Sequence, residues 1–422
     1  MIRYLVLLLA VVCIASCGGD SGTDTGVNHA PTISFVSDML AVQKGISVDL
    51  EVAVDDEDGD PLSVTWTVSQ NGGALDPNDQ GNTVMTWTPP PSTGSHTITA
   101  TVTDGEKSAS ASIQLQSATV WTTDVLGSTI SWTLQQSPYI IRQNAGDLNF
   151  IISGGRLIIN PGVTVLIDVP EQEINVNGIL DIRGTVDQPV TIKPNRRVPS
   201  AGFWKGVYAD LAASLVMRYT VVTHAVHNVR LDTEAAADLR WCRLSHSSIA
   251  GFYARSTGSL IMKNCQVTEN DGDGLSVEII SAFPDSIVVT DSNLMYNGDS
   301  GADIKLPSLP GAPVFFEFSG DSIAYNDVNG INLVTNAYPT IHNNWIFFND
   351  ITRLNNGFNI RVDPGFIGFS DSIDARYNFW GRDYMPADTT EIASLMYDKR
   401  DNPALPEVRF IPWCNDPPCL VE

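Results

Sequence analysis

The feature that most constrains how this chain folds is a repeat in its C-terminal half. Val221, Leu244, Val267, Leu294, Ile323 and Ile346 form one apolar column, and three residues after each come His224, Ser247, Asn270, Asn297, Asn326 and Asn349. Seven residues after the first five stand Asn228, Gly251, Gly274, Gly301 and Gly330, each introducing a short strand-like run such as Phe252-Tyr253-Ala254 or Ile331-Asn332-Leu333. The successive spacings are 23, 23, 27, 29 and 23 residues. Self-similarity at a near-constant period marks a solenoid, whose coils bury their apolar sides only against one another. Stacked parallel strands lie about 4.8 Å apart, so identical side chains pile on one another. Asn270, Asn297, Asn326 and Asn349 are expected to form a structural amide ladder that satisfies buried turn backbone. The two longer coils put their extra residues, 278–284 and 305–313, into loops on one side, where a binding groove would be built.

Upstream, Leu157-Ile158-Ile159-Asn160-Pro161-Gly162-Val163, Ile174-Asn175-Val176-Asn177-Gly178-Ile179-Leu180 and Pro189-Val190-Thr191-Ile192 alternate strand with turn, and no helical period intervenes. With Ser137-Pro138-Tyr139-Ile140 before them and Gly184-Thr185 and Trp204-Lys205-Gly206 after, they resemble the opening of the right-handed parallel β-helices of the pectate-lyase-like superfamily. Arg376-Tyr377-Asn378-Phe379-Trp380-Gly381 resembles the terminal Asn-Phe-Trp-Gly element of those proteins, which closes the last open strand edge. The resemblance implies the fold and is silent on activity.

Between Pro31 and Leu115, short period-two runs such as Leu62-Ser63-Val64-Thr65-Trp66-Thr67-Val68 are separated by Gly, Pro, Asn and Asp turns, the pattern of a β-sandwich. This segment resembles bacterial Ig-like, cadherin-like or PKD-like modules. Asp56, Asp58 and Asp60 alternate in a turn containing Gly59, so their carboxylates can converge on a hard cation, and the resemblance brings Asp104 in from a neighbouring loop. Calcium is the cation such an oxygen shell suits. The competing reading is that Asp and Gly merely build turns.

Arg3, the apolar run from Leu5 to Ile14 and the small residues before Cys17 read as an export signal too short to span a bilayer. Ile14-Ala15-Ser16-Cys17 resembles the lipobox of bacterial lipoproteins, which implies lipid on Cys17, and Gly18 in the following position implies the outer rather than the inner membrane. Residues 18–26 form a polar Gly/Ser/Asp/Thr tether. The expected organisation is all-β. A signal peptide (1–16) and a lipidated cysteine with linker (17–28) precede an Ig-like β-sandwich (29–116). A cap (117–145), a right-handed parallel β-helix (146–381) and a tail (382–422) follow.

A net charge of −24 repels nucleic acid. Oxidised compartments permit disulfides, and Cys414 and Cys419 are spaced to close a short turn. Cys242 and Cys265 fall on adjacent coils, which leaves open a disulfide or a buried reduced pair. An acidic line follows the Asn ladder: Asp271, Asp273, Asp299, Asp303, Asp327 and Asp350, with Lys305 and Arg353 near the same edge. Stacked carboxylates repel unless a cation or proton intervenes, which makes a calcium-dependent polysaccharide lyase or epimerase conceivable, with Asp299, Asp303, Lys305 and Asp327 as its candidates. Asx turns explain the same aspartates. His224 and His227, three apart on a strand, would face opposite sides. The sequence therefore predicts a membrane-anchored exported protein whose β-helix is a non-catalytic binding or structural surface, for carbohydrate or another envelope component. The lyase or epimerase is the alternative.

Overall fold

The computed structural model describes residues 27–77, 82–142, 149–255, 258–278, 286–305, 315–334, 339–349, 357–363, 372–381 and 389–413. Cys17 and its lipobox, Cys414, Cys419, Asp350 and Arg353 lie outside them. The described residues are almost entirely β, and their single α-helix, Thr389–Ser394, has six residues. No described helix is long and apolar enough to cross a membrane.

The N-terminal part is a sandwich. One sheet pairs Thr32–Phe35, Val48–Asp55, Val84–Thr88 and Ala74–Pro77, and the other pairs Ser63–Val68 with Gly94–Thr103 and Gly94–Thr103 with Ser108–Trp121. Alternation drives it: Leu50, Trp87, Ile98 and Leu115 are fully buried between the sheets while their strand neighbours face water.

From Tyr139 onward every pairing is parallel, and the chain winds through about seven turns of a solenoid with three strands per coil. The first face stacks His227–Leu231, Ala250–Arg255, Asp273–Glu278, Ala302–Lys305, Ile331–Val334 and Ile360–Val362. The second stacks Ser214–Arg218, Ala236–Arg240, Ser259–Lys263, Ser286–Thr290, Phe315–Ser319 and Thr340–His342. The third runs from Tyr139–Ile141 through Thr220–Thr223 to Trp345–Phe347. Two long early strands, Asn149–Ile159 and Glu173–Arg183, pass through the first and second faces without a break and join them into one 18-stranded sheet. One apolar core, from Val125 to Phe410, runs the length of the coil stack.

The register corrects one column read from sequence. Val222, not Val221, pairs with Leu244, and it is Val222 that is fully buried. A one-residue slip on a strand turns every side chain to the other face. His224 therefore leaves the ladder column. It belongs to a corner column of non-glycine residues with left-handed φ, namely His224, His246, Glu269, Tyr296, Tyr325 and Phe348, with φ from 51° to 62°. Such backbone costs about 1 kcal/mol per residue, and the corner hydrogen bonds described below offset it.

The boundary between the two parts, expected at residue 117, lies inside a strand rather than in a linker. Ser108–Trp121 is one 14-residue strand that pairs antiparallel with Gly94–Thr103 through Ser117 and parallel with Tyr139–Ile141 from Thr119. The sandwich sheet and the third face are one 13-stranded sheet. The buried Asn195 side chain fastens the junction: its Oδ1 accepts from the Ala41 N–H (2.9 Å) and its Nδ2 donates to the Ala41 carbonyl (2.9 Å). Ala41, Ala118, Ile140 and Leu166 fill a small core beneath it.

Candidate functional site

The solenoid's inner corner is built from amides. Asn270 Nδ2 donates to Asn297 Oδ1 (2.9 Å), Asn297 Nδ2 to Asn326 Oδ1 (3.0 Å) and Asn326 Nδ2 to Asn349 Oδ1 (2.9 Å). Asn349 Nδ2 passes the chain on to Asn359 (3.0 Å), and at the other end Ser247 Oγ donates to Asn270 Oδ1 (2.7 Å). Each Nδ2 also reaches a corner carbonyl, as Asn326 does Leu294 O (3.0 Å). A second, mixed ladder lines the corner between the second and third faces. The Cys265 N–H donates to Ser292 Oγ, the Ser292 N–H to Asp321 Oδ1 (2.7 Å), the Asp321 N–H to Asn344 Oδ1 (2.7 Å) and the Asn344 N–H to Asn378 Oδ1 (2.9 Å). Sequence reasoning aligned Cys242, Cys265 and Ser292 on successive coils but missed the continuation through Asp321, Asn344 and Asn378, because four residue types share the column. Cys265, where this ladder begins, and Cys242 on the preceding coil are free buried thiols that donate to backbone carbonyls, Cys242 to Arg240 O (3.4 Å) and Cys265 to Lys263 O (3.4 Å).

The acidic line does not hold together as one group. Asp271 and Asp327 sit in the corner turns, while Asp273, Asp299 and Asp303 are close enough to act on one another. Burial first, and the carboxylates of Asp303 and Asp299 second, push Asp273 up to about 8, so it holds a proton at neutral pH. Loss of water also raises Asp299 and Asp303. Asp303 accepts from Asn332 Nδ2 (2.7 Å), whereas Lys305 Nζ turns to Glu278 at 3.6 Å. His224 stacks on His246 at the outer corner (4.8 Å), and burial lowers its pKa to about 4. His227 lies on the first face against Tyr253.

Asp303 belongs to a column that only the strand register reveals. On the first face, Asn175, Tyr208, Arg230 and Tyr253 stand in line on successive strands and continue as Ser276, Asp303, Asn332 and Arg361. All eight are half-buried on the outer side. The Arg230 guanidinium lies over the Tyr208 ring (4.6 Å) and reaches toward Tyr253 (5.8 Å), and Tyr253 Oη donates to Glu278 (2.9 Å). Several polar atoms along the column are turned from water with no partner: Asn175 Oδ1, Arg230 Nε, Asn332 Oδ1 and Arg361 Nε. Such groups are costly unless something supplies the missing hydrogen bond.

At the free end of the sandwich, Asp56, Asp58 and Asp60 bring carboxylate oxygens within 4.8 Å of one another. Burial and then the charges of Asp56, Asp58, Asp104 and Glu106 raise Asp60, and Asp104 is not among the carboxylates that converge. Asp56 Oδ2, Asp104 Oδ2 and Asn28 Oδ1 are buried without a partner. A donor set of carboxylate oxygens alone, with Asp56 Oδ2 among them unpartnered, fits a hard cation such as calcium. His29 competes for Asp58, its N–H and ring nitrogen binding the carboxylate and holding Asp58 below the usual range.

The aromatic residues divide by place. Trp204 and Trp380 are buried in the coil core, while Trp241 and Tyr296 project from the corners with 44 % and 55 % of their surface exposed. Tyr219 and Trp241 stack at 4.9 Å, and Tyr296 and Tyr325 at 5.1 Å.

No curated protein and no solved structure matches the chain. Two family models do: residues 28–116 match a bacterial Ig domain, and residues 191–346 match a right-handed beta helix region. Together with the parallel three-strand coils and the sheet shared at the junction, these matches identify the chain as a bacterial Ig domain continued by a right-handed β-helix.

Proposed function

We propose that this is a lipid-anchored protein of the bacterial cell envelope whose β-helix is a non-catalytic binding surface for carbohydrate, with the first-face column as the line along which the sugar lies. A right-handed β-helix joined to an Ig domain suggests a carbohydrate-related extracellular protein. The observation that carries the finer reading is the column itself. It sets Tyr208 and Tyr253 beside Arg230, Asp303 and Asn332 in a single line, with polar atoms left unpartnered. Aromatic bodies offer apolar contact to a pyranose face, and planar amide, carboxylate and guanidinium groups match its hydroxyls. The Cys17 lipobox and its polar tether support the anchor, and Gly18 the outer membrane. The test is binding of neutral and acidic oligosaccharides on a glycan array, with Tyr253→Ala and Asn332→Ala beside the unmodified chain. Loss of signal in both variants with an unchanged melting curve is expected, and undiminished binding in both removes the reading.

A calcium-dependent polysaccharide lyase or epimerase is the second reading, and one observation favours it: Asp273, Asp299 and Asp303 interact with their carboxyls raised, Asp273 to about 8. Such a site calls for a basic residue against the substrate. Lys305 is engaged by Glu278 instead. Incubation with uronic-acid polymers decides: ultraviolet absorbance from unsaturated products supports the lyase, and its absence with retained binding supports the surface.

A further inference from the structure

The second face carries a column of a different character. At the outward end of its strands Arg183, Arg218, Arg240 and Lys263 stand in register on consecutive coils, about 4.8 Å apart. Like charges directly opposite one another on neighbouring strands repel. The chain has only 24 basic residues against 48 acidic ones, which makes four in single file a marked departure from its surface.

Nearby carboxylates offset this charge in part. Asp238 is shared between Arg218 (2.6 Å) and Arg240 (3.0 Å), and Asp181 between Arg183 (2.7 Å) and Arg156. Lys263 reaches Asp291 at 3.4 Å. Each shared carboxylate thus serves two guanidinium groups and leaves one positive charge over. The four column side chains keep between 27 and 48 % of their surface in water, so donors still face outward. Directly after Arg218 and Arg240 in sequence come Tyr219 and Trp241, whose left-handed backbone turns their stacked rings out at the same corner.

We propose that this strip is a second binding site, separate from the first-face column, and that it takes a linear acidic polysaccharide. Guanidinium forks match carboxylate and sulfate groups in a two-point fashion, and the cations repeat at roughly the length of one sugar unit. The Tyr219 and Trp241 rings supply an apolar platform at the edge for the sugar ring itself. A single file along the coil axis suits an extended polymer better than a lipid surface, which would meet a broad basic patch. The reading does not depend on sugar binding at the first face.

The experiment is calorimetric titration of the full chain with an oligouronate, a neutral glucan of equal length and vesicles containing anionic phospholipid. Oligouronate binding that weakens with added salt is expected, because exposed charges are screened over about a Debye length. The paired change Arg218→Gln with Arg240→Gln is expected to weaken binding about tenfold or more, and Lys263→Gln a few-fold. The paired change also leaves Asp238 without its partners, so Lys263→Gln and Trp241→Ala, both on exposed side chains, decide the matter if it fails to fold. Each titration is repeated in a Tyr253→Ala background, so that sugar held at the first-face column is not counted as bound at the strip, and salt-sensitive oligouronate binding is expected to persist there. The proposal is overturned by equal affinity for the neutral glucan, by vesicle binding in preference to the soluble acid, or by full affinity in both Lys263→Gln and Trp241→Ala.

Discussion

The Ig domain and the β-helix solve the burial of backbone in opposite ways. In the sandwich the described turns lie at the surface, and its interior polar residues are His96 and Ser117 alone among those described. The β-helix turns its corners inward, and its buried polar residues include Asn228, Asn270, Asn297, Asp321, Asn326, Asn344 and Asn378. An antiparallel meander lets water satisfy its turns, while a coil stack presents corner N–H and C=O groups to its own core and needs side chains to meet them. The solenoid's stability is thus expected to be sensitive to single polar residues in a way the sandwich's is not.

The largest test of that contrast is Asn297→Ala. It removes the side-chain bonds to Val267 O, to the Asn270 N–H and Nδ2 and to Asn326 Oδ1, which keeps only the Asn297 N–H, and about 3–4 kcal/mol of unfolding free energy is expected to be lost in urea titration. Thr99→Ala, which breaks an exposed Thr99–Ser112 hydroxyl pair in the sandwich, is expected to cost under about 0.5 kcal/mol. Equal losses would abolish the contrast. Calcium at a hundredfold excess over its dissociation constant is expected to add about 3 kcal/mol to the sandwich. Slowed hydrogen exchange in Val48–Asp55 is the readout, and an undiminished effect in Asp60→Asn would place the ion elsewhere.

Asp321 is the one acid in the mixed ladder. Burial holds its carboxyl well above the usual range, and its Oδ2 has no partner. A folded-state pKa above the unfolded one means that its contribution is complete below the unfolded value, near 4, and is lost as pH rises through the folded value. The unmodified protein is therefore expected to be more stable in acid than at neutrality with respect to this group. Asp321→Asn supplies an amide donor and is expected to stabilise the protein at pH 7 by about 1–3 kcal/mol while flattening the pH dependence of urea midpoints. Among the changes in the β-helix, Cys265→Ser is expected to be the smallest, under about 1 kcal/mol, because Ser292 already occupies the next rung and donates to Thr290 O.

The repeat was legible because one rung is filled by Asn four times over, and spacing alone then aligns the coils. Where residue types differ, the sequence carries no such signal. Cys265, Ser292, Asp321 and Asn344 share a rung through backbone geometry, and the first-face column of Tyr208, Arg230, Tyr253 and Asp303 is in line only because insertions of different length are absorbed in loops. Val221 and Val222 are chemically identical neighbours, so pattern could not choose between them, and the slip carried His224 into the ladder. The left-handed corner was equally silent, since His, Glu, Tyr and Phe hold positions where Gly or Asn would be the recognisable signal. The Asp56, Asp58 and Asp60 cluster could be read directly because its members are local in sequence.

The strand from Ser108 to Trp121 has a consequence for how the molecule assembles. A parallel coil has no local partner, and closing its first turn costs loop entropy before any contact repays it. The sandwich forms from antiparallel neighbours, and once it has done so the end of its strand at Thr119–Trp121 is a ready template for Tyr139–Ile141. The first coil then inherits its register from a finished domain, and each later coil from the one before. On a chain emerging N-terminus first, winding starts from that edge and proceeds in one direction.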